Sequence, residues 1–257
     1  MVVGFPPGGQ ADLAARPTAA ALEINSRLGA RGGRYAATGA KLEVSRGVTD
    51  NFAAALAVLG GWRNIRNVPG MTDLNALAFD GLGGELRWRF LERGPSPVGL
   101  TLHVEPALRL IDERSGERGM GWSFENRMII DAALVPDKLF AAANLIYDIE
   151  AFRPRGSPQE RASTAGLSAA LSYQFRPGLF LGADIRYLRA YEGLALERFR
   201  GWAVFAGPTL FWHATDSVWV SGTWAFQLAG REQGVPNPYD LGNFPRQMVK
   251  LKIGVEF

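Results

Sequence analysis

The end of the chain alternates without exception: Val249, Leu251, Ile253, Val255 and Phe257 are apolar, while Lys250, Lys252, Gly254 and Glu256 between them are polar or small. A period of two sends successive side chains to opposite faces of a β-strand, and no helical period fits it. The alternation recurs upstream. Val218, Val220, Trp224, Phe226 and Leu228 form one apolar set and Trp202, Val204, Leu210 and Trp212 another, preceded by sets at Leu179 to Tyr187, Leu167 to Phe175 and Leu139 to Ile149. The Leu179 set faces Gly182, Asp184 and Arg186, and the Leu139 set faces Asn144, Asp148 and Glu150. Further back, Trp122, Phe124, Met128 and Ile130 oppose Ser123, Glu125, Arg127 and Asp131. Apolar residues from Val98 to Leu110 oppose Thr101, His103, Glu105 and Arg109, and Leu82, Leu86, Trp88 and Phe90 oppose Glu85, Arg87 and Arg89. With shorter segments at Phe52 to Trp62, Lys41 to Arg46 and Leu22 to Leu28, the pattern predicts roughly twelve strands of about ten residues.

The connections alternate in length. Tight reversals fall at Val48 to Asp50, Arg93 to Pro97, Pro136 to Asp137, Arg176 to Gly178 and Thr215 to Ser217, where Gly, Pro and Asp favour turns. Longer polar links lie near 31–34, 64–75, 112–119, 153–163, 193–198 and 231–246. About five short turns and six long links suit an up-and-down barrel of twelve strands with both termini on the short-turn side. Pro106 and Pro208 fall inside predicted strands. A closed barrel has no edge to tolerate a missing N–H, so bulges or gaps in the ladder are expected there. Asn126 on the apolar face is a second cost.

Period two also fits a soluble barrel or sandwich, which would carry its apolar face inside. Here the polar face is rich in Gly, Ala, Ser and paired charges rather than uniformly solvated. Six of the seven tryptophans, Trp62, Trp88, Trp122, Trp202, Trp212 and Trp224, fall on the apolar face, several near strand ends. Aromatic belts at a lipid boundary have that placement. The expected fold is all-β: an up-and-down antiparallel transmembrane β-barrel of about 12 strands. It forms one domain over residues 20–257, preceded by a flexible or truncated segment over 1–19. A soluble β domain is the other reading.

Composition narrows the function. Hydrophobic residues make up 47% of the chain and charged residues 21%, which excludes a disordered chain. No apolar run approaches the ~18 residues of a spanning helix. The absence of cysteine removes a disulfide scaffold, a thiolate metal site and a cysteine nucleophile, and two histidines leave little room for an imidazole-rich metal site. The 28 Lys and Arg are spread among 25 Asp and Glu without the clustering that nucleic acid requires. No cofactor is expected. The first residues, Met1 to Phe5, lack a basic n-region and an apolar core, so either a leader has been removed or the start is truncated.

The closing Val249 to Phe257 resembles the assembly signal of Gram-negative outer-membrane proteins, with Val249, Leu251, Ile253, Val255 and the terminal Phe257 as its apolar set. That resemblance implies recognition by the barrel-assembly machinery. The stretch Leu28 to Val44, with Gly33-Arg34-Tyr35, followed by Gly47-Val48-Thr49-Asp50-Asn51-Phe52, is similar to a family of uncharacterised, porin-like outer-membrane barrels. The likeness spans about residues 20–257 and implies location and fold but no substrate. Partners would be outer-membrane lipids and lipopolysaccharide, together with small solutes. A dozen residues around Gly4-Phe5-Pro6-Pro7-Gly8-Gly9 are similar to the opening of periplasmic tricarboxylate-type solute receptors, but the strand and helix pattern of that fold does not follow.

The candidate chemistry lies on the polar face. Glu85, Arg87, Arg89, His103, Glu105, Arg109, Glu125, Arg127, Asp131, Asp148, Asp184, Arg186, Lys250 and Lys252 would line the lumen, with Glu23, Arg27, Lys41 and Glu43 beside them. Two arrangements are open. In a water-filled pore the charges form opposed rows with weak ion preference; in a narrow barrel they pair across strands and close the channel. The leading expectation is passive diffusion of small polar solutes, with the 231–246 link long enough to fold in and restrict it. The alternative is a closed scaffold or surface receptor acting through its loops. A serine–histidine lipid hydrolase is the rival enzyme. Neither His103-Val104-Glu105 nor His213-Ala214-Thr215 has a serine two residues on, and both histidines point inward, so the chain is expected not to be an enzyme.

Overall fold

The computed structural model describes residues 18–30 and 32–257. The expected segment before the barrel lies outside the described residues up to residue 17, and so does the receptor-like stretch within it. Twelve strands follow one another: β1 (Thr18–Leu28), β2 (Arg34–Thr49), β3 (Phe52–Arg66), β4 (Leu74–Leu91), β5 (Gly99–Ile111) and β6 (Arg118–Val135) make the first half. The second half is β7 (Leu139–Pro154), β8 (Glu160–Arg176), β9 (Leu179–Glu192), β10 (Arg198–His213), β11 (Val218–Glu232) and β12 (Gln247–Glu256). Each strand pairs antiparallel with its neighbours, and β1 closes on β12. The expected all-β up-and-down barrel is therefore the observed fold, and both described ends lie on the short-turn side.

Two expectations need adjustment. The strands run from 10 to 18 residues rather than about ten. Polar segments expected to be loops, such as Asn64 to Arg66 and Glu160 to Ser163, instead extend the ladder. Polarity marks where a strand leaves an apolar environment, not where its hydrogen bonds end. Of the six long links, the one after β11 remains long, at residues 233–246.

The prolines cost what a closed barrel predicts. Pairing of β4 with β5 skips from Gly83↔Ala107 to Leu86↔Val104 around Pro106, and pairing of β10 with β11 skips from Ala206↔Phe226 to Thr209↔Thr223 around Pro208. The register resumes unchanged on either side. Asn126 satisfies itself locally, its amide donating to the Phe124 and Tyr147 carbonyls at 3.3 and 2.8 Å.

The outer face carries the large apolar side chains, among them Leu56, Leu77, Leu108, Leu145, Leu167 and Leu228. The inner face is not uniform. On β3 it presents Ala53, Ala55 and Ala57, leaving room for long side chains from the flanking strands. One bulge changes what points in. Register between β3 and β4 shifts between Leu59, opposite Gly81, and Gly60, opposite Phe79, leaving Asp80 as the extra residue. Gly81 has φ +146 and sits so close to Leu108 that a Cβ would lie 2.0 Å from its carbonyl oxygen. The bulge turns Asp80 into the barrel while Leu82, Leu86 and Trp88 stay outside.

Candidate functional site

The barrel interior has three levels, and each follows from which residues the strands turn inward. At mid-height lies a lattice of ion pairs. Lys41 of β2 reaches Glu105 of β5 at 2.6 Å, Glu43 at 3.0 Å and Glu85 of β4 at 3.6 Å. β2 and β5 are not neighbours, and the small side chains of β3 between them leave the space this contact crosses. Lys252 of β12 binds Glu43 at 2.5 Å, Lys250 binds Glu23 of β1 at 2.8 Å, and Arg87 binds Glu85 at 2.6 Å. His103, 3% exposed, places Nε2 3.3 Å from Glu85 and 3.6 Å from Glu105. Glu85, His103 and Glu105 have the donor set of a divalent metal site, but the Lys41 and Lys252 ammonium groups already stand against these carboxylates. Beside the lattice, Arg127 bridges Glu125 at 3.2 Å and Asp148.

Toward the long-loop end, two segments fold over the mouth. Asp112 accepts from the Arg114 and Ser115 amides at 3.0 and 2.6 Å, which curls the β5–β6 link and directs Glu113 inward. The Glu113 carboxylate oxygen Oε2 lies 3.2 Å from Arg27 and 3.3 Å from Arg109. Burial alone would raise this carboxyl; Arg27, Arg109 and Arg63 outweigh it and bring the group down to about 2. Arg63 donates to the Glu113 carbonyl at 3.4 Å and holds Asp80 through two parallel bonds of 2.8 Å. The 233–246 link also turns in: Gln227, fully buried, accepts from the Asp240 amide at 2.7 Å and donates to the Asp240 and Pro245 carbonyls. Phe244 packs on Phe205 with ring centroids 6.3 Å apart. Burial raises the Asp240 carboxyl, against hydrogen bonds from Asn243. Arg114 ties the two segments by donating to the Gly242 carbonyl.

The short-turn end holds an aromatic cluster. Phe140, Phe180, Phe211 and Trp219 cluster inside with Ala21, successive ring centroids lying 5.9, 6.1 and 6.2 Å apart. Gly254 is required here, since a Cβ on it would fall 2.2 Å from the Trp219 ring.

The expected lumen residues thus divide into groups. Glu85, Arg87, His103, Glu105, Lys250 and Lys252 share the central lattice; Glu125, Arg127 and Asp148 lie beside it; Arg109 belongs to the mouth. Asp184 and Arg186 pair at 2.6 Å on the opposite wall, where Asp184 also meets Thr223. Arg89 and Asp131 sit at the short-turn end, bound to the Asp50 carbonyl and to Arg93, each at 2.8 Å. Arg63, Asp80 and Glu113 were not expected. Arg63 continues the inward alternation of β3 one residue past Trp62, where the expected strand segment stopped; Asp80 hides behind the Gly81 bulge, for which a glycine next to a strand acidic residue is the sequence signal; Glu113 lies in a link whose inward fold sequence does not announce. The outer positions Val249, Leu251, Ile253, Val255 and Phe257 alternate away from the lumen. Trp62, Trp88, Trp122, Trp202, Trp212 and Trp224 also stand outside, with Trp88 and Trp212 toward the short turns and Trp62, Trp122 and Trp202 toward the long links.

Between the lattice and the mouth is a cavity of about 70 Å³, bordered by Glu23, Lys41, Glu105, Arg109, Glu113 and Glu125 and by Pro106 where the ladder is interrupted.

The family model described as Family of unknown function (DUF6662) matches residues 13–257. No curated protein matches the chain in sequence. Among solved structures, the chain is similar to the COG4313 outer membrane channel from Pseudomonas putida F1, at 12% identity over 98% of this chain and 100% of the other, with a TM-score of 0.61. The beta domain of the Bordetella autotransporter BrkA matches at 10% identity over 94% and 100%, TM-score 0.60, and the NanC porin at 12% over 93% and 98%, TM-score 0.51. At such identities the likeness is one of fold, that of an outer-membrane barrel.

Proposed function

We propose, from the premise that the chain belongs to the family of unknown function DUF6662, that it is a narrow outer-membrane channel through which small polar solutes diffuse passively. The observation that carries this reading is the central lattice, in which Lys41, Lys252, Glu43, Glu85 and Glu105 meet across non-neighbouring strands. Replacing buried ion pairs by well-packed apolar residues is often neutral or stabilising, so stability alone does not account for an ionic interior. A wall of balanced charge does account for it, because it substitutes for the water a polar solute sheds on entry. At mid-height side chains obstruct the path, and above them the 112–117 and 233–246 segments cover the mouth. No catalytic step is required.

A closed scaffold is the second reading, favoured by the aromatic cluster Phe140, Phe180, Phe211 and Trp219 at the short-turn end. Single-channel recording of the refolded barrel in a planar bilayer separates the two. The channel reading expects discrete, small conductance steps whose preference moves toward cations in Arg87→Ala. Silence from a barrel that is folded by heat-modifiable mobility overturns it and leaves the scaffold.

A further inference from the structure

The mouth of the barrel contains an anion site that the chain fills with its own side chain. Arg27 projects from β1 and Arg109 from β5, strands separated by β2, β3 and β4, yet both guanidinium groups converge on one oxygen, Glu113 Oε2, at 3.2 and 3.3 Å. The other oxygen, Oε1, lies over Gly39, 3.7 Å from where a Cβ would stand, so the wall behind the carboxylate is bare backbone. Glu113 belongs to a link and not to the barrel wall, which makes it a removable occupant. Directly beneath lies the 70 Å³ cavity, to which Arg109 and Glu113 both contribute.

We propose that Arg27 and Arg109 form a binding site for the carboxylate of a small anionic solute, and that Glu113 is the internal stand-in for that carboxylate when the solute is absent. The proposal names the solute class for the channel and rests on that reading for its place in transport, though the binding chemistry stands without it. Guanidinium groups suit this task because they stay charged and offer several N–H donors to one carboxylate. Displacement has a structural consequence. The backbone beside Glu113 is tied to the second folded segment, since Arg114 donates to the Gly242 carbonyl and Tyr35 donates to the Arg114 carbonyl at 3.2 Å. A solute that expels Glu113 therefore loosens the 112–117 link and, through Arg114, the cover formed by 233–246.

Chemical rescue tests the site without requiring conductance. Glu113→Ala removes the stand-in and leaves Arg27 and Arg109 without the carboxylate they share. Sodium acetate, compared with sodium chloride at equal ionic strength, is expected to raise the urea midpoint of refolded Glu113→Ala but not of the parent or of Glu113→Ala/Arg109→Gln. Acetate at a hundred times its dissociation constant would raise the folded-to-unfolded ratio about 100-fold. Glu113→Ser, which also vacates the space between Arg27 and Arg109, gives the same comparison if the alanine variant does not fold. Equal midpoints in acetate and chloride for a folded Glu113 variant overturn the proposal. Because the readout is stability, that failure is distinct from silence in the bilayer, which would overturn only the channel.

Discussion

Replacing Asp80 by alanine strands a guanidinium inside the barrel. Asp80 is 1% exposed and Arg63 3%, and they are joined by two N–H···O bonds of 2.8 Å. At a separation of about 4 Å and an effective dielectric near 20, the attraction is about 4 kcal/mol. Removing one partner of a buried pair costs about 3–5 kcal/mol because the other charge is left uncompensated. Arg63 keeps its bond to the Glu113 carbonyl and the attraction of the Glu113 carboxylate, which Arg27 and Arg109 already share. Urea titration of the folded barrel in lipid vesicles, followed by tryptophan fluorescence and electrophoretic mobility, should show Asp80→Ala destabilised by about 3–5 kcal/mol. The double variant Asp80→Leu/Arg63→Met should recover most of that loss, since it buries no lone charge. A loss below about 1 kcal/mol would mean that lumen water solvates Arg63 as it does a surface pair, and a double variant no better than the single would equally refute the reasoning.

Phe180→Ala opens the aromatic cluster between Phe140 and Phe211; conductance in a planar bilayer should rise while urea stability falls by about 3–5 kcal/mol. Gln227→Ala removes three hydrogen bonds to the 233–246 segment, so limited proteolysis should cut within it faster than in the parent. Glu113, held at about 2 against an ordinary 4.5, contributes stability that is whole above about pH 4.5 and is lost as pH falls through about 2. The stability difference between the parent and Glu113→Gln should accordingly be flat from pH 7 to about pH 5 and shrink toward pH 2. Trp88 and Trp212 should be quenched by brominated lipid at one leaflet depth and Trp62, Trp122 and Trp202 at the other, if these residues form two belts.

Period two carries a great deal here because a barrel strand has only two faces. Val249 to Phe257 and Leu82 to Phe90 assign every residue to a side before any partner is known, and the alternation of short and long links then orders the strands up and down. The same rule explains its failure at Asp80: one extra residue at the Gly81 bulge reverses the faces, so a carboxylate assigned to neither wall became the partner of Arg63. The rule is also silent about reach. Which of Glu43, Glu85 or Glu105 meets Lys41 depends on side chains spanning the lumen above the alanines of β3.

By itself, the sequence determined the strands, their order, the outer apolar face and the inner set of balanced charges. These are local properties, fixed by alternation and turn chemistry within a few residues. Tertiary structure alone decided that the inner charges pair across the barrel, that four aromatic rings gather at one end, and that Glu113 and the 233–246 segment fold into the other. Closing β1 onto β12 brings residues hundreds of positions apart within a few ångströms, and electrostatic pairing depends on that distance through space rather than on separation along the chain.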